Sequence, residues 1–565
     1  MNYFEEYRNP IDIINSNQGI LKIKDDKCYI NDKIIENNRA IDGDKVIIEE
    51  NKVIQIKERH NKYIIGIIDL ISKYKIKLNN KIYHIFKPLN RKYPNFYVSL
   101  NTKKYTGIIY VIIKFKDWHK NSKLPYGEFI DIIGKTGDLN NDLLAMMYYH
   151  DVYKKKLKYN GSIKKQNELE IESIKDEDIE YNIFSIDPKG SKDLDDAFHF
   201  KENDGYYEIG IHISYPSHML DKEYDIQDIF KRVSTIYTSS NIDMIPSIYS
   251  ENICSLIENK KRYAYSVIFI FNKKYQFINF KIKKTKVYVE KNYSYEEYQK
   301  KYFNDYKTKY SEFITLSTQF FKKELDSHTL VEEWMIKTNK TIAQYLIDCD
   351  FKHIIVRSHQ GISYINENNY DNDLNDILKK YKENSANYVL YNKDENQYHS
   401  KMSNDYYTHF TSPLRRCVDY YTQMILDNKV KLDEIEIKEN IEHINKYEKK
   451  LKKFYRDQKK INYIYEHKTH IQKCEGYIIQ IKENSLKIYV KELDFEIKYK
   501  LFPYHYLKCI EVSYEKKEDQ INKIIYKIEE IKFEYILYDK VKLELHFFEH
   551  EINVLDKIKV KIIEE

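Results

Sequence analysis

The segment from Phe184 to Phe200 contains the residues best suited to chemistry. Four aspartates fall within ten residues, and apolar residues typical of strands flank them; they are Asp187, Asp193, Asp195 and Asp196. Carboxylates crowded near a core repel one another and are costly to desolvate, so a counter-charge must keep them ionised. Mg2+ prefers oxygen ligands and keeps waters and phosphates in its shell. Two such ions could activate a water and stabilise the leaving oxygen of a phosphodiester.

Two other interpretations of this acidic segment compete with metal chemistry. A calcium loop of the EF-hand type needs a central glycine, and the run from Asp193 to Phe198 has none. An acidic surface turn would not usually be bracketed by Phe184, Ile186, Phe198 and Phe200. On the residues alone, metal chemistry and a structural or surface role both stay open.

The second chemical segment runs from Tyr407 to Arg416. Thr411 or Ser412 before Pro413 is a helix-start signal, so we expect Arg415 and Arg416 in the first helical turn, beside free backbone N–H groups. Guanidinium groups grip phosphate oxygens bidentately and can offset charge that develops on a phosphodiester. The alternative is that both arginines pair with the protein's own carboxylates.

The strands and helices that position these segments are predicted from turn residues and from the alternation of apolar and polar residues. At 565 residues the chain is longer than a single core supports. Alternating runs such as Lys45 to Glu50, broken by turns such as Asp42-Gly43-Asp44, predict a small β-barrel over residues 1–75. Strand signals at Lys81 to Phe86 and Gly107 to Phe115, with turns at Pro125-Tyr126-Gly127 and Gly134 to Asp138, predict a second barrel over residues 76–158.

The rest of the chain is predicted as a mixed unit and a third barrel. Strand signals such as Tyr207 to Ser214 alternate with helical ones such as Leu330 to Asp348, and a charged helix runs from Ile437 to His470. We therefore expect an α+β unit over residues 172–470. Strand alternation returns afterwards and predicts an OB-fold barrel over residues 471–565.

Composition excludes several classes of protein. Hydrophobic residues at 42% and aromatic residues at 15% supply enough apolar area for folded cores, so the chain is not disordered. No apolar stretch approaches the ~20 residues that cross a bilayer. Glu5, Glu6 and Arg8 stand where a secretory signal needs an apolar core, so we expect an intracellular protein, in the cytoplasm or the nucleus. The net charge of +6 is modest, so any polyanion must be bound by local grooves.

The motifs together resemble the ribonuclease II (RNB) family of 3′→5′ exoribonucleases. The aspartate spacing, Cys254-Ser255-Leu256 with Arg262, the helix from Leu330 to Met335, and His409 to Arg416 occur in the family's order. The segments Asn38 to Asp44, Arg91 to Pro94, Asp117-Trp118 and Gly134 to Asp138 look like the two cold-shock-type barrels of the eukaryotic exosome catalytic-subunit branch. We expect the N-terminal PIN endonuclease domain of that branch to be absent.

The resemblance implies a site and a reaction. It implies that Asp187, Asp193, Asp195 and Asp196 hold two Mg2+, with Mn2+ able to substitute. Arg415 matches the arginine that contacts the reacting phosphate, with Arg416 supporting it, and Tyr237 matches a tyrosine that stacks on the terminal base. Asp457 is the candidate for an acidic residue near the leaving nucleotide, with a solvated helix charge as the alternative. The implied reaction is processive hydrolysis of single-stranded RNA from the 3′ end to nucleoside 5′-monophosphates.

The expected architecture is thus α+β and multidomain, with two cold-shock-type OB barrels, a central RNB catalytic domain and a C-terminal OB barrel that binds RNA. We expect a monomer that acts on single-stranded RNA and not on membranes; membership of an RNA-decay complex is left open. The alternative function is a catalytically silent RNA-binding protein on the same scaffold. Tyr215, Gln423 and Met424 depart from the usual residues of the family.

Overall fold

The structure is a computed structural model in which the chain forms two compact units. One unit is Met1–Tyr153 with Lys450–Glu565, and the other is Lys154–Lys449. The structure describes residues 17–24, 27–60, 62–72, 75–78, 81–101, 104–221, 223–303, 310–359, 370–382, 386–403, 405–467, 471–501, 510–517, 520–528, 531–548, 551 and 554–563. The first sixteen residues of the predicted first barrel lie outside these ranges.

The first unit begins with two small antiparallel sheets, in the orders β1-β5-β6 and β2-β3-β4. Their strands are β1 (Asn17–Ile20), β2 (Lys22–Lys24), β3 (Lys27–Ile30), β4 (Lys33–Ile35), β5 (Lys45–Glu49) and β6 (Lys52–Glu58). Leu21, Ile30, Val46 and Val53 pack into one core between them. The buried Asp44 carboxylate accepts hydrogen bonds from the backbone N–H groups of Ile41 and His60, both at 2.8 Å, which fixes the turn before β5.

A six-stranded sheet follows, in the order β10-β12-β11-β7-β9-β8. Its strands are β7 (Ile64–Asp69), β8 (Lys75–Leu78), β9 (Lys81–Pro88), β10 (Phe96–Val98), β11 (Ile108–Asp117) and β12 (Tyr126–Lys135). Two predictions are wrong here. Strand β7 belongs to this sheet and not to the first barrel, because it pairs with β9 and β11. Two residues of the predicted turn Pro125-Tyr126-Gly127 lie in β12, where register shifts against β11 accommodate Gly127 and Gly134. The predicted turn from Gly134 to Asp138 is confirmed at Thr136 and Gly137, directly after β12 ends at Lys135.

The first unit is completed by helix α1 (Leu139–Tyr149), the second part of a long helix, and eight C-terminal strands. These strands form one antiparallel sheet: β20 (Gln472–Lys482), β21 (Ser485–Val490), β22 (Phe495–Lys500), β23 (Ile510–Lys517), β24 (Gln520–Ile528), β25 (Ile531–Ile536), β26 (Lys540–Phe547) and β27 (Ile558–Ile563). The long helix is α10 (Glu434–Glu466). Its end belongs to the first unit, and not to the α+β unit over residues 172–470 as predicted, because Tyr463 packs into the C-terminal core and Tyr465 donates to Asp142 at 2.7 Å.

The second unit is built on a closed five-stranded barrel. Its strands are β13 (Ile179–Asp187), β14 (Asp196–Asn203), β15 (Tyr206–Ser214), β16 (Lys260–Asn272) and β17 (Phe277–Ser294), with β13 and β17 parallel and the other neighbours antiparallel. Around it lie α2 (Gly161–Glu172), α3 (Pro216–Met219), α4 (Ile226–Arg232), α5 (Tyr295–Tyr298), α6 (Ser311–Phe321), α7 (Ser327–Asp348), α8 (Asn372–Lys382), α9 (Cys417–Leu426) and the pair β18 (Ile355–Ser358) and β19 (Asn387–Leu390).

A buried polar chain crosses the barrel strands. His199 Nδ1 lies 2.8 Å from His212 Nε2, and His212 Nδ1 lies 2.6 Å from Ser266 Oγ. Burial holds the pKa of His212 well below its usual value, so this imidazole is neutral. A Cβ at Gly210 would lie 2.2 Å from the His199 ring, so only glycine leaves room for the pair.

Aromatic packing joins the helices to the barrel. The fully buried Trp334 of α7 contacts the ring of Phe269 on β16 at a centroid distance of 5.3 Å and stacks on Phe320 of α6 at 5.9 Å. The predicted α+β multidomain class is confirmed. Among the described residues, no helix combines the length and apolar content that a membrane span requires.

Candidate active site

The connection between β13 and β14 carries the four aspartates. Asp187 is the last residue of β13 and Asp196 is the first residue of β14, so the barrel itself fixes the two ends. The backbone N–H of Leu194 donates to Ser255 Oγ at 3.0 Å, and the Leu194 carbonyl accepts from the N–H of Leu256 at 3.0 Å. These two bonds pin the middle of the connection and thereby position Asp193 and Asp195 on either side of the buried Leu194.

The carboxylate of Asp195 is buried against the arginine segment. Its Oδ1 accepts a hydrogen bond from the backbone N–H of Leu414 at 2.9 Å, and its Oδ2 lies 3.2 Å from Arg415 Nε. Burial raises the pKa of Asp195 to about 7, although the Arg415 charge and the Leu414 hydrogen bond oppose the rise. Asp195 and Arg415 therefore form the central ion pair of the site.

Asp187 and Asp196 carry charges that the protein compensates poorly. Burial, aided by the charge of Asp193, raises the pKa of Asp187 to about 6, and Ser185 Oγ donates a hydrogen bond to Asp187 Oδ2 at 2.6 Å. Burial and the charges of Asp187 and Asp195 raise the pKa of Asp196 well above its usual value. The buried Oδ2 of Asp196 has no hydrogen-bond partner among the described residues. Such an atom is costly to bury unless a ligand satisfies it.

Asp193 is engaged by the predicted stacking tyrosine. The Tyr237 hydroxyl donates a hydrogen bond to Asp193 Oδ2, while Tyr237 as a whole is 38% exposed. Burial of the hydroxyl and the neighbouring Asp193 charge raise the pKa of Tyr237, so the phenol stays protonated. The structure therefore places Tyr237 beside the aspartates with much of its surface open to solvent.

The two arginines have different environments. The Arg415 side chain is 42% exposed, and its Nη2 donates to Ser412 Oγ at 3.0 Å. Arg416 Nη2 instead donates to Oδ1 of the fully buried Asp419 at 2.8 Å, and that same oxygen accepts from the backbone N–H of Ser412 at 2.8 Å. For Arg416 the structure thus shows the internal pairing that the sequence left open, and its predicted role towards substrate stays a prediction.

The predicted helix start at Pro413 is wrong. Helix α9 begins at Cys417, and Arg416, with φ −134° and ψ 129°, is its extended N-cap. The segment before it is diverted from helix because the Leu414 N–H donates to Asp195 and the Arg415 carbonyl accepts from the N–H of Thr235 at 3.0 Å. Arg415 therefore lies in a loop beside the aspartates rather than in a helical turn.

A strained turn joins the tyrosine segment to the arginine segment. Val233 has φ 62° and ψ −63°, and the N–H of Ser234 donates to the carbonyl of Arg232 at 2.7 Å, which closes a γ-turn of the rare type. The Val233 carbonyl accepts from the N–H of Cys417 at 2.8 Å. A β-branched residue at positive φ is a genuine outlier, and such strain concentrates at functional sites.

Sequence reasoning missed an aromatic pair beside the aspartates. Tyr295 stacks on His328 at a centroid distance of 3.8 Å and an interplanar angle of 15°. Burial, with the charges of Asp196 and Asp187, raises the pKa of Tyr295 to about 12. Tyr295 reaches this place because Ser294, which precedes it, lies opposite Asp187 in the β13–β17 pair. The sequence signal was the capping box of Ser294 and Glu297.

Asp457 belongs to the first unit, on α10. Its Oδ2 lies 2.8 Å from His150 Nε2, and its Oδ1 lies 3.5 Å from Lys460 Nζ. Both partners and Asp457 itself are largely buried there. These contacts give Asp457 a structural partner within its own unit, and its proposed place near the leaving nucleotide stays a prediction.

The residues fit a hard divalent cation in chemistry. The four carboxylates supply only oxygen donors, and the pKa values of Asp187, Asp195 and Asp196 are each raised in part by the charge of another of the four. One buried oxygen of Asp196 lacks a partner among the described residues. Within the described part of the chain, however, no three His, Cys, Asp or Glu side chains are gathered closely enough to hold an ion as they stand. Arg415 and Tyr237 occupy carboxylate oxygens that an ion would have to take over.

Two family models match parts of the chain. An RNB domain model matches residues 172–319 and 302–431, and the model of the Dis3-like cold-shock domain 2 matches residues 83–151. Exosome complex exonuclease RRP44 from Mus musculus is 24% identical over 469 residues, which cover 68% of this chain and 48% of that protein. The chain spans about half the length of the curated relatives that it matches.

Solved structures share the fold. RNase R from Mycoplasma genitalium, in complex with ribose methylated single-stranded RNA, has a TM-score of 0.75 at 15% identity and covers 97% of this chain and 100% of its own. Yeast Ssd1, described as a pseudonuclease, has a TM-score of 0.63 at 14% identity over 98% of this chain and 97% of its own. The family-model match shows that residues 172–431, which include the aspartate connection and the arginine loop, form an RNB domain.

Proposed function

We propose that the chain is a 3′→5′ exoribonuclease that hydrolyses single-stranded RNA processively to nucleoside 5′-monophosphates with two Mg2+. The observation that carries this proposal is the juxtaposition of the buried, mutually repelling aspartates with Arg415. Oxygen donors in excess of positive charge favour a divalent cation, and a half-exposed guanidinium at their edge offers donors to a phosphate. The similarity to RRP44 and the RNB domain support the same reaction.

Each residue has a role in this reaction. Asp187, Asp193, Asp195 and Asp196 would hold the cations, which supply the charge that activates water and stabilises the leaving oxygen. Arg415 Nε lies 3.2 Å from Asp195 Oδ2, which places the guanidinium beside the aspartates, where it can offset the charge that develops on the phosphate. The Tyr237 ring stacks on the terminal base. Arg416 holds the Ser412 loop through Asp419 and so supports Arg415 from behind.

The other candidate is a silent RNA-binding protein. Its support is the engagement of Asp195 by Arg415 and of Asp193 by Tyr237, together with the fold likeness to Ssd1. A silent protein would keep these internal bonds when Mg2+ is added. An enzyme would exchange them for the ion.

Product analysis separates these two functions. A 5′-labelled single-stranded RNA is incubated with the protein and Mg2+, alongside Asp195→Asn and a control, Asp228→Asn, whose carboxylate is on the exposed face of α4 and pairs only with Lys231 among the contacts described. We expect mononucleotide release by wild type and Asp228→Asn and none by Asp195→Asn. Unchanged RNA length with wild type would establish the silent binder, and equal cleavage of a deoxy strand would establish a DNA nuclease.

The remaining parts of the proposal concern partners. We propose that the C-terminal strands bind RNA as an OB barrel and that the chain acts as a monomer in the cytoplasm or the nucleus. Association with a larger RNA-decay assembly is suggested by the name of RRP44 alone. Replacement of Mg2+ by Mn2+ is expected to preserve cleavage, since both accept six oxygen ligands.

A further inference from the structure

Ser214, the last residue of β15, connects the aspartates to helix α9. Its backbone N–H donates to the carbonyl of Asp195 at 2.8 Å, and its Oγ lies 3.5 Å from Asp195 Oδ1. Its own carbonyl accepts a hydrogen bond from Gln423 Nε2 of α9 at 2.7 Å. Ser214, Asp195 and Gln423 are all buried, so water does not compete for these bonds.

The side chain of Gln423 can adopt only one orientation. The Ser214 carbonyl is an acceptor only, so the amide must present its NH2 group there. The opposite oxygen, Oε1, accepts from Ser217 Oγ at 3.0 Å, and Ser217 is fully buried. Both ends of the amide are therefore satisfied, and a rotated amide would place two acceptors against each other.

One helical turn after Gln423, at the C-terminal end of α9, Asp427 is bonded to Tyr215, the residue that follows Ser214. The Tyr215 hydroxyl donates to Asp427 Oδ2, and the Tyr265 hydroxyl of β16 donates to Asp427 Oδ1 at 3.0 Å. Lys284 Nζ of β17 lies 2.8 Å from the same carboxylate, whose side chain is fully buried. Residues 423 and 427 share one face of the helix, so this face is tied to three barrel strands.

Helix α9 thus reaches Asp195 from two sides. Just before its start, Leu414 and Arg415 bind the Asp195 carboxylate directly. Gln423 lies six residues after the helix start at Cys417, about 9 Å along the helix at a rise of 1.5 Å per residue, and it holds the backbone of Asp195 through Ser214. A rigid helix with both attachments sets the separation of Asp195 and Arg415.

We propose that Gln423 is a positioning residue that aligns Asp195 with Arg415 through the Ser214 carbonyl. This inference rests on the proposed function for its catalytic consequence. Gln423 touches no reacting group in this arrangement. A loss of its hydrogen bond should therefore lower turnover, because misalignment by about 1 Å costs up to a hundredfold, while RNA binding is preserved.

The test compares two substitutions on the same helix. Gln423→Met keeps the length of the side chain and removes its hydrogen bonds. Tyr421→Phe is the matched control, because it removes one partly buried hydrogen bond from α9, the 2.9 Å bond to the His353 carbonyl, which does not lead to Asp195. We expect Gln423→Met to lower kcat about 10- to 100-fold with KM within about twofold, and Tyr421→Phe to keep kcat within about twofold. Wild-type kcat in Gln423→Met, or an equal fall in both variants, would overturn the inference.

A second readout does not need activity. The Leu414 N–H donates to Asp195 Oδ1, so its hydrogen–deuterium exchange reports the alignment directly. We expect faster exchange at Leu414 in Gln423→Met and not in Tyr421→Phe. If wild type fails to cleave RNA, the proposed function fails, and unchanged exchange at Leu414 would separately reject the positioning role.

Should Gln423→Met not fold, Ser217→Ala, which releases the amide oxygen, is expected to lower kcat severalfold, and an unchanged kcat would reject the inference.

Discussion

The backbone N–H of Thr235 donates to the carbonyl of Arg415 at 3.0 Å. This bond ties the strand-like segment before Tyr237 to the arginine loop, and the Val233 turn beside it is the strained element that makes the approach possible. The base-stacking and phosphate-binding residues of the proposed enzyme therefore move together. Changes to the turn should affect both residues.

Replacing Val233 by glycine should separate strain from packing. Glycine adopts positive φ at no steric cost, so Val233→Gly should relieve about 1 to 3 kcal/mol of backbone strain while losing a buried side chain of similar value. We expect a stability within about 1 kcal/mol of wild type by urea unfolding. Val233→Ala, which loses packing and keeps a Cβ at positive φ, should be the less stable of the two; the opposite order would show that the turn is not strained.

Substitution of Arg415 should lower the rate of the reaction, whereas substitution of Arg416 should lower the stability of the fold. Arg415→Met should lower kcat about 10²- to 10³-fold with little change in RNA affinity, since its guanidinium acts on developing charge. Arg416→Met should instead lower the free energy of unfolding by about 3 to 5 kcal/mol, because it leaves the buried Asp419 without its cation. Single-turnover kinetics and urea unfolding on both variants check this. A larger loss of stability in Arg415→Met than in Arg416→Met would contradict it.

The metal-free protein should lose stability as the pH rises. Burial raises the pKa of Asp187 to about 6 and that of Asp195 to about 7. Both groups have a pKa near 4 in the unfolded chain, so their contribution is fully present below about pH 4 and is lost as the pH rises through 6 and 7. Urea unfolding in EDTA from pH 4 to pH 8 measures this slope. Asp195→Asn should flatten it, and Mg2+ should stabilise more at pH 8 than at pH 5; a pH-independent effect of Mg2+ would argue against binding at these carboxylates.

Gly210 should tolerate no side chain. A Cβ there would lie 2.2 Å from the His199 ring, which is fixed by its bond to His212, so Gly210→Ala should cost about 1 to 3 kcal/mol of stability. Gly161→Ala is the matched control, because no atom lies within 4 Å of its Cβ position and it occupies the first turn of α2. Thermal unfolding of both variants measures this difference. Equal melting temperatures would show that the His199 ring can move to make room for the added Cβ.

Much of the barrel and its acidic connection could be predicted because the signals are local. The alternation from Tyr207 to Ser214 differs from strand β15 by one residue, and the spacing of Asp187 to Asp196 directly indicated a charged connection between strands. These patterns depend only on neighbours in the chain. The same holds for α7, whose observed start at Ser327 precedes the predicted Leu330 by three residues.

The errors arose where distant residues decide the local structure. Pro413 looked like a helix start. However, the backbone N–H of Leu414 donates to the carboxylate of Asp195, which is 219 positions away in the chain, and the helix therefore begins only at Cys417. Gly134 looked like a turn, but pairing with β11 makes it part of β12. Strand register places Tyr295 beside the aspartates, and helix packing places Gln423 against the Ser214 carbonyl, so no local pattern predicted either position.

Tyr237 should show two roles when its ring and hydroxyl are changed separately. Tyr237→Ala should weaken RNA binding by about 1 to 3 kcal/mol through the lost stack. Tyr237→Phe should keep RNA binding and bind Mn2+ at least as tightly as wild type, because Asp193 loses the hydroxyl that competes for its oxygen. Fluorescence anisotropy and electron paramagnetic resonance titrations measure these affinities. Weaker Mn2+ binding by Tyr237→Phe would contradict the competition.

The bond between Tyr237 and Asp193 also makes the two ligands of the proposed enzyme thermodynamically interdependent. An ion that takes Asp193 releases the phenol, and a base that draws the ring away exposes the carboxylate. By reciprocity, if the bound cation raises the affinity for an RNA 3′ end by some factor, the bound RNA raises the affinity for the cation by the same factor. Such a chain would bind RNA more weakly without metal and would hold the metal more tightly once RNA is bound.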